Sequence, residues 1–528
     1  MHAPFFCVLI PPMLPAFLTG KRLSFVLAVC AGGCRLPFVW LAQYAHPYLD
    51  DYLFPPQVTA QGLFTYVTDT FFRHSGRFSS SIITALHPFC RSLNLGWYRW
   101  SIVGLVLLFG GSVYAAACAL LADRRLPHYY RYGAGSLGLC LLLLWLPSPT
   151  EAFYWLISAQ NYLGVCVAGF GLLAGVAAVP TASAPLVRRV GWVLLGALCF
   201  FIPGFSEMTA CLALVLAVLL APLWYFTKPA KRWWLLLGLA MLGAALTLGA
   251  PGNYVRLHTA NQGAVSSLLH GVTSAAVASA YALINWLGTG ILGPVTLLLL
   301  PSFGRLAARQ LAPALQRLTR YPWVWPLWVL GGIYACFALT YLALGHAPAP
   351  RCLNVLYIFL VVGWLLSVYG GVAWWVRRGH QVPLPGAPMQ GLLLGFVVVQ
   401  LWNDHDPQLV HVNQNRGLNA VFTAYRDILS GRAAQYDREQ QARYQLLTAP
   451  GTPDVVLPAL SVQVESIQFR EFSADPHWFR VQRQSNPSMF VVRFHWFLPS
   501  HFTHGKLHHF FPERPRPHRA IQPGRSGR

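Results

Sequence analysis

The segment YAHPYLDDYLFPP at residues 44–56 places two adjacent carboxylates, Asp50 and Asp51, directly after an apolar run in a chain with only 16 acidic residues in 528. Neighbours on a helix point about 100° apart, so the two acids do not serve one site in the same way. One is read as an acting group, a base for a hydroxyl within reach. The other caps or orients, because acids are favoured at a helix start. Further on, RHSGRFSSS carries Arg73 and Arg77 four residues apart, on one face of a helix unless Gly76 breaks it. Two guanidiniums beside a carboxylate can hold a phosphate. The plain alternative is a pair of interfacial arginines reaching lipid headgroups.

Other candidates are scattered along the chain. Glu151 lies among aromatics in PSPTEAFYWLISAQNYL, where Tyr154, Trp155 and Tyr162 read as an interfacial belt or as a platform for stacking sugar. Glu207 in FIPGFSEMTA falls in a first helical turn, with Ser206 as its cap. LGAPGNYVRLH supplies Asn253 and Arg256, and GHAPAPRCLN supplies Arg351. These basic groups have no carboxylate neighbour in sequence, so an anionic lipid or a lipid-linked phosphate is a fitting partner, and ordinary contact with lipid headgroups is the equal alternative.

The elements that must position these residues follow from composition. The chain is 55% hydrophobic, 10% charged and holds 19 Trp, which is too apolar for an ordinary soluble domain. The class is a polytopic all-α membrane protein. A net charge of +22 would suit nucleic acid, but the basic residues are dispersed among apolar runs and form no stripe, so nucleic acid is not an expected partner. The eleven Cys all lie at or before Cys352, without metal-site spacing. Cys30 and Cys34 share a helix face with no second pair, and read as small apolar side chains.

At roughly 20 apolar residues per crossing, about eleven spans are expected: 22–44, 98–121, 132–147, 161–180, 190–203, 206–226, 233–250, 275–301, 323–345, 353–376 and 387–402. One set of connecting loops collects Lys21/Arg22, Arg124/Arg125/Arg131, Arg188/Arg189, Lys228/Lys231/Arg232, Arg305/Arg309/Arg317/Arg320 and Arg377/Arg378. By the positive-inside rule those loops are cytoplasmic, with the N-terminus. The tail is then extracytoplasmic. Of the acids before residue 403, all except Asp123 fall on the outer side: Asp50, Asp51, Asp69, Glu151 and Glu207. Acids at membrane level mark function. The first outer loop, 45–97, has its own apolar rhythm in Leu63, Val67, Phe71, Phe78, Ile82 and Leu86, which predicts helices lying in the interface.

An acidic residue in a long first outer loop just after the first helix, juxtamembrane helices and many spans resemble the GT-C superfamily of membrane glycosyltransferases. A closer likeness, over about Arg35 to Asn486, is to a bacterial multi-pass membrane family of unassigned activity. It is carried by LPFVWLAQYAHPYLDDYLF, SGRFSSS, GFSEMTA, APGNYVR and FSADPHWF. The resemblance implies an inner-membrane enzyme that takes a sugar from a polyprenyl-phosphate donor and passes it, with inversion, to an extracytoplasmic glycan or lipid acceptor in cell-surface glycan synthesis. Asp50 or Asp51 would be the base, Arg77, Arg256 and Arg351 would hold phosphate, and Glu207 would assist. Some relatives use a divalent metal, but the sequence offers no clear ligand set and no certain cofactor. The competing readings are a transporter or flippase of lipid-linked intermediates, and a non-catalytic component of an envelope-assembly complex. Neither a repeat nor acids within the spans support ion-coupled transport.

The domain division is a ragged leader at 1–21, a transmembrane domain at 22–402, a soluble α+β tail at 403–488 and a basic, disordered end at 489–528. In the tail 403–445 reads as polar helix, and TPDVVLPAL and SVQVESIQFREF alternate like strands. The tail caps the outer face or helps to receive the acceptor. VCAGGCRL at 29–36 and the text after about 488 look foreign to the rest, as a shifted reading frame would, and Arg35 sits awkwardly inside a span.

Overall fold

The computed structural model describes residues 20–48, 50–260, 268–289, 291–382, 386–402, 419–448, 454–456, 458, 460–468 and 480–482. Most of the leader, the link 403–418 and the basic end lie outside them. The described chain is dominated by helices, nine of them long and apolar enough to cross a membrane. They are Gly20–Tyr44, Leu95–Leu120, Leu156–Thr181, Pro185–Phe205, Glu207–Thr227, Lys231–His258, Leu268–Leu287, Val324–Leu344 and Pro350–Arg377. Large apolar side chains such as Phe25, Val193, Val218 and Val277 face outward, as helices solvated by lipid require.

Of the other expected spans, 132–147 is the 17-residue helix His128–Leu144, packed against the first and second long helices. The run 275–301 is divided: the helices Leu268–Ile284 and Leu292–Ala308 are separated by a π-helical turn at Asn285–Thr289. The first lies on Val324–Leu344 and the second on Pro350–Arg377. Hydrophobic periodicity does not register a π turn; the mark the run does carry is the polar, glycine-bearing step of Asn285, Gly288 and Thr289. The last expected span is the short helix Ala387–Trp402.

Loops expected on opposite sides gather separately. Arg125 pairs with Asp123 at 2.9 Å, and the Asp123 carboxylate also accepts the Ala312 amide. Arg317 donates to the Ala177 carbonyl. At the other end the first loop folds into helices Asp50–Arg73, Phe78–Leu86 and Pro88–Ser92, the first of them kinked at Gly62.

The tail helices Ala420–Leu429 and Arg432–Thr448 dock on this second end. The Asn419 side chain caps the first by accepting the Val421 and Phe422 amides. From the second, Asp437 accepts Arg99 and contacts the buried His46 at 2.9 Å, and the Tyr444 hydroxyl meets that of Tyr52 at 2.9 Å. The expected strands are only partly realised: Asp454–Val456 pairs antiparallel with Arg480–Gln482, whereas 461–468 is turn and loop. Val462, Val464 and Ile467 serve instead to pack this loop on the core.

Candidate functional site

Two short motifs build the base of the site by backbone-to-backbone contact. A Cβ on Gly76 would lie 2.1 Å from the Thr247 carbonyl, and one on Gly252 would lie 2.6 Å from the amides of His74 and Ser75. SGRFSSS and APGNYVR therefore interlock at a distance only glycine permits. Asn253 pins the junction, its Oδ1 accepting the Gly76 amide and its Nδ2 donating to the Thr247 carbonyl. Asn253 is thus a buried brace, and both ends of its amide are committed to backbone.

The chain turns at 74–77, so Arg73 and Arg77 do not share a helix face. Arg73 points to solvent and pairs with Asp69, which removes it from the candidate site. Arg77 turns inward onto Glu207, its Nη2 2.8 Å from Oε2. The other oxygen, Oε1, takes Arg256 Nη2 at 2.6 Å and the Ser75 hydroxyl at 3.4 Å. Ser206 caps the helix through the Thr209 amide, as the sequence predicts, so Glu207 sits at a helix N-terminus where negative charge is favoured.

A second acid–arginine pair lies beside the first. Glu151, in a π-helical turn at Thr150–Tyr154, is 0% exposed. Its Oε2 accepts the Arg351 backbone amide at 3.1 Å and the Arg351 guanidinium at 3.4 Å. Its Oε1 is buried without a hydrogen-bond partner. Burial pushes the Glu151 carboxyl up, against the pull of Arg351. The Arg351 guanidinium covers Trp155 at 5.0 Å and Tyr162 at 5.9 Å, and Arg77 covers the same Tyr162 ring at 5.9 Å. Tyr154, Trp155 and Tyr162 are all buried, so they form no interfacial belt. Instead Tyr162 joins the two pairs into one assembly, a role that spacing alone could not assign.

The two leading candidates separate. Asp51 is fully buried, and its carboxylate accepts the amides of Tyr48, Leu156 and Ile157 and the Tyr98 hydroxyl. It therefore holds the start of the helix Leu156–Ala178 in place. Burial pushes its carboxyl up to about 7, while the hydrogen bonds from Ile157, Tyr98 and Tyr48 pull the other way and the neighbouring Asp50 charge adds to the rise. The Tyr98 hydroxyl faces both Asp51 and the Tyr154 carbonyl. Asp50 is partly exposed and accepts no hydrogen bond from a described residue. Burial raises it, and the Arg351 and Arg77 guanidiniums draw it down. His74, beside them, is lowered to about 4 by burial and by the Arg256 and Arg77 charges, and so adds no charge near neutrality.

Six of the nine singled-out residues thus meet: Asp50, Arg77, Glu151, Glu207, Arg256 and Arg351. Three arginines with side chains 24–33% exposed face three carboxyls, two of which burial drives toward the neutral form. The balance favours an incoming anion with phosphate geometry. Among the described residues no group of three His, Cys, Asp or Glu side chains converges as a metal site. Comparison with protein-family models, with curated proteins and with solved structures finds no match.

Proposed function

We propose that the protein is a GT-C-like membrane glycosyltransferase that moves a sugar from a polyprenyl-phosphate donor to an extracytoplasmic glycan or lipid acceptor in cell-surface glycan synthesis. The observation that carries this reading is Asp50: a partly exposed carboxylate that accepts no hydrogen bond from a described residue and feels the Arg351 and Arg77 guanidiniums. In the proposed reaction Asp50 takes the acceptor hydroxyl proton, and the oxygen attacks the anomeric carbon with inversion. The bond to the donor phosphate breaks, and Arg77 and Arg351 receive the charge that develops on the leaving group. Arg256 and Glu207 hold Arg77 in position. Buried Trp155 and Tyr162 give the arginines an aromatic backing. A groove of ≈720 Å³ lined by Trp40, Trp100 and Arg99, between the helices Gly20–Leu41 and Leu95–Leu120, offers a polyprenyl chain an apolar berth near the Asp51-bound Tyr98.

The reading includes about eleven crossings of a bacterial inner membrane, a cytoplasmic N-terminus and an extracytoplasmic α+β tail that docks through Asp437 and Tyr444 onto His46, Arg99 and Tyr52. It is tested with Asp50→Asn in membranes supplied with a panel of polyprenyl-phosphate sugars, by following sugar transfer into envelope glycan. Loss of transfer by about 10²- to 10⁴-fold at normal protein level is expected for a missing general base. Transfer at the wild-type rate by Asp50→Asn sinks the proposal.

A further inference from the structure

The helices Pro185–Phe201 and Lys231–Leu248 lead from the candidate site to the opposite end of the bundle. There they begin side by side around a cleft of ≈510 Å³ lined by Pro180, Arg188, Trp192, Lys231, Arg232 and Trp233. Three cations line it and no acid does. Every carboxylate whose side chain is described is engaged elsewhere: Asp69 with Arg73, Asp123 with Arg125, Glu151 with Arg351, Glu207 with Arg77 and Arg256, Asp437 with Arg99, Glu465 with Arg426, Asp51, Asp427 and Glu439 with amides, and Asp50 beside Arg351 and Arg77. The counter-charge must therefore come from outside the described chain.

The cleft is also furnished with donors. The Trp192 indole N–H is buried without a hydrogen-bond partner. The Arg232 guanidinium lies over the Trp192 ring at 5.6 Å, and Trp233 meets that ring edge-on at 5.4 Å. Both helices start after an alanine, with no side-chain cap, so their first-turn amides face the same end. Free amides and the positive ends of two helix dipoles favour an anion. Beyond the cleft, Leu186, Val190, Val193 and Leu235 are exposed apolar surface.

We propose that this cleft binds the phosphodiester headgroup of an anionic phospholipid, with the acyl chains lying along the exposed apolar faces of the two helices. Basic pockets between helices on the positively charged side of a membrane protein suit such headgroups. A lipid is favoured over a free anion because the cleft sits at the ends of membrane-spanning helices and opens onto apolar surface.

The test uses purified, delipidated full-length protein in neutral detergent, titrated with mixed micelles of phosphatidylglycerol or phosphatidylcholine and read by thermal unfolding. Phosphatidylglycerol is expected to stabilise and phosphatidylcholine not. The variant Arg188→Gln/Lys231→Gln/Arg232→Gln should bind phosphatidylglycerol on the order of 100-fold more weakly. The variant Arg305→Gln/Arg309→Gln/Arg378→Gln, which removes equal charge from the other basic loops, should stay within about threefold of wild type, since single-site effects there are diffuse. If the first variant does not fold, Lys231→Gln alone should weaken binding about fivefold. Equal weakening by both triple variants, unchanged binding in Lys231→Gln, equal stabilisation by the two lipids, or full replacement of the effect by inorganic phosphate overturns the proposal.

Discussion

The two ends of the helices Pro185–Phe201 and Lys231–Leu248 treat positive charge in opposite ways. At the end near Phe201 and Leu248, each of Arg77, Arg256 and Arg351 is matched by a carboxylate of the chain itself. Where the same helices begin, Arg188, Lys231 and Arg232 face one another with no acid among them. The first arrangement fixes geometry before any ligand arrives, as positioned chemistry requires. The second leaves the counter-charge to the surroundings, which suits reversible binding of an abundant anion. Function at one end is expected to depend on each residue, and at the other on summed charge.

The sharpest break of this comparison is Glu207→Gln. It strands two partly buried guanidiniums, and loss of one partner from a buried charge group costs about 3–5 kcal/mol. Chemical denaturation in neutral detergent should show that loss, while the Arg188/Lys231/Arg232 variant should change by no more than about 0.5 kcal/mol per site. Equal stability losses would erase the distinction between the two ends.

Next in size is Gly76→Ala. Its Cβ would press on a backbone carbonyl that cannot yield, so about 1–3 kcal/mol of stability is expected to go. Gly238, which has open space around it, should tolerate the same change.

A smaller effect concerns pH. The Asp51 carboxyl is raised to about 7 in the folded protein from a usual value near 4. The folded state then binds more protons between those values. The associated stability is complete below about pH 4 and is lost as pH rises through about 7. Asp51→Asn should flatten the melting temperature over that window. An unchanged slope would show that Asp51 does not carry it.

The smallest effect sharpens the role of Asp50. Its carboxyl lies above the ordinary aspartate range because burial outweighs the Arg351 and Arg77 charges. The acid limb of a transfer-rate profile should therefore lie above that range. Arg351→Gln removes a group that favours the ionised form, so the limb should move to still higher pH. Movement to lower pH would detach Asp50 from the arginines.

Much of the frame was legible in the sequence. The long apolar runs gave most of the spans, the rhythm of residues 45–97 gave its short helices, and Ser206 announced the helix that presents Glu207. The candidate site was half legible. Acid scarcity pointed to Asp50, Glu151 and Glu207, but not to which arginine each would meet. Arg73 and Arg77 looked equivalent until the turn at 74–77 sent one outward and one inward. Tyr162 looked like membrane belt because residue type carries no information about depth. The interruption at Asn285–Thr289 was read through because the long hydrophobic run outweighed its polar, glycine-bearing step at Asn285, Gly288 and Thr289.

The sequence by itself determined that this chain must live in a membrane and how few negative charges it could deploy. Those are properties of composition, set by side-chain hydrophobicity and charge residue by residue. Only the tertiary structure decided the use of each acid. Asp51 went to the start of one helix, Glu151 to the start of another, and Glu207 to two arginines far along the chain, leaving Asp50 without a hydrogen-bond donor among the described residues. Electrostatic pairing falls off with distance in space, and distance in space between remote segments is what packing creates.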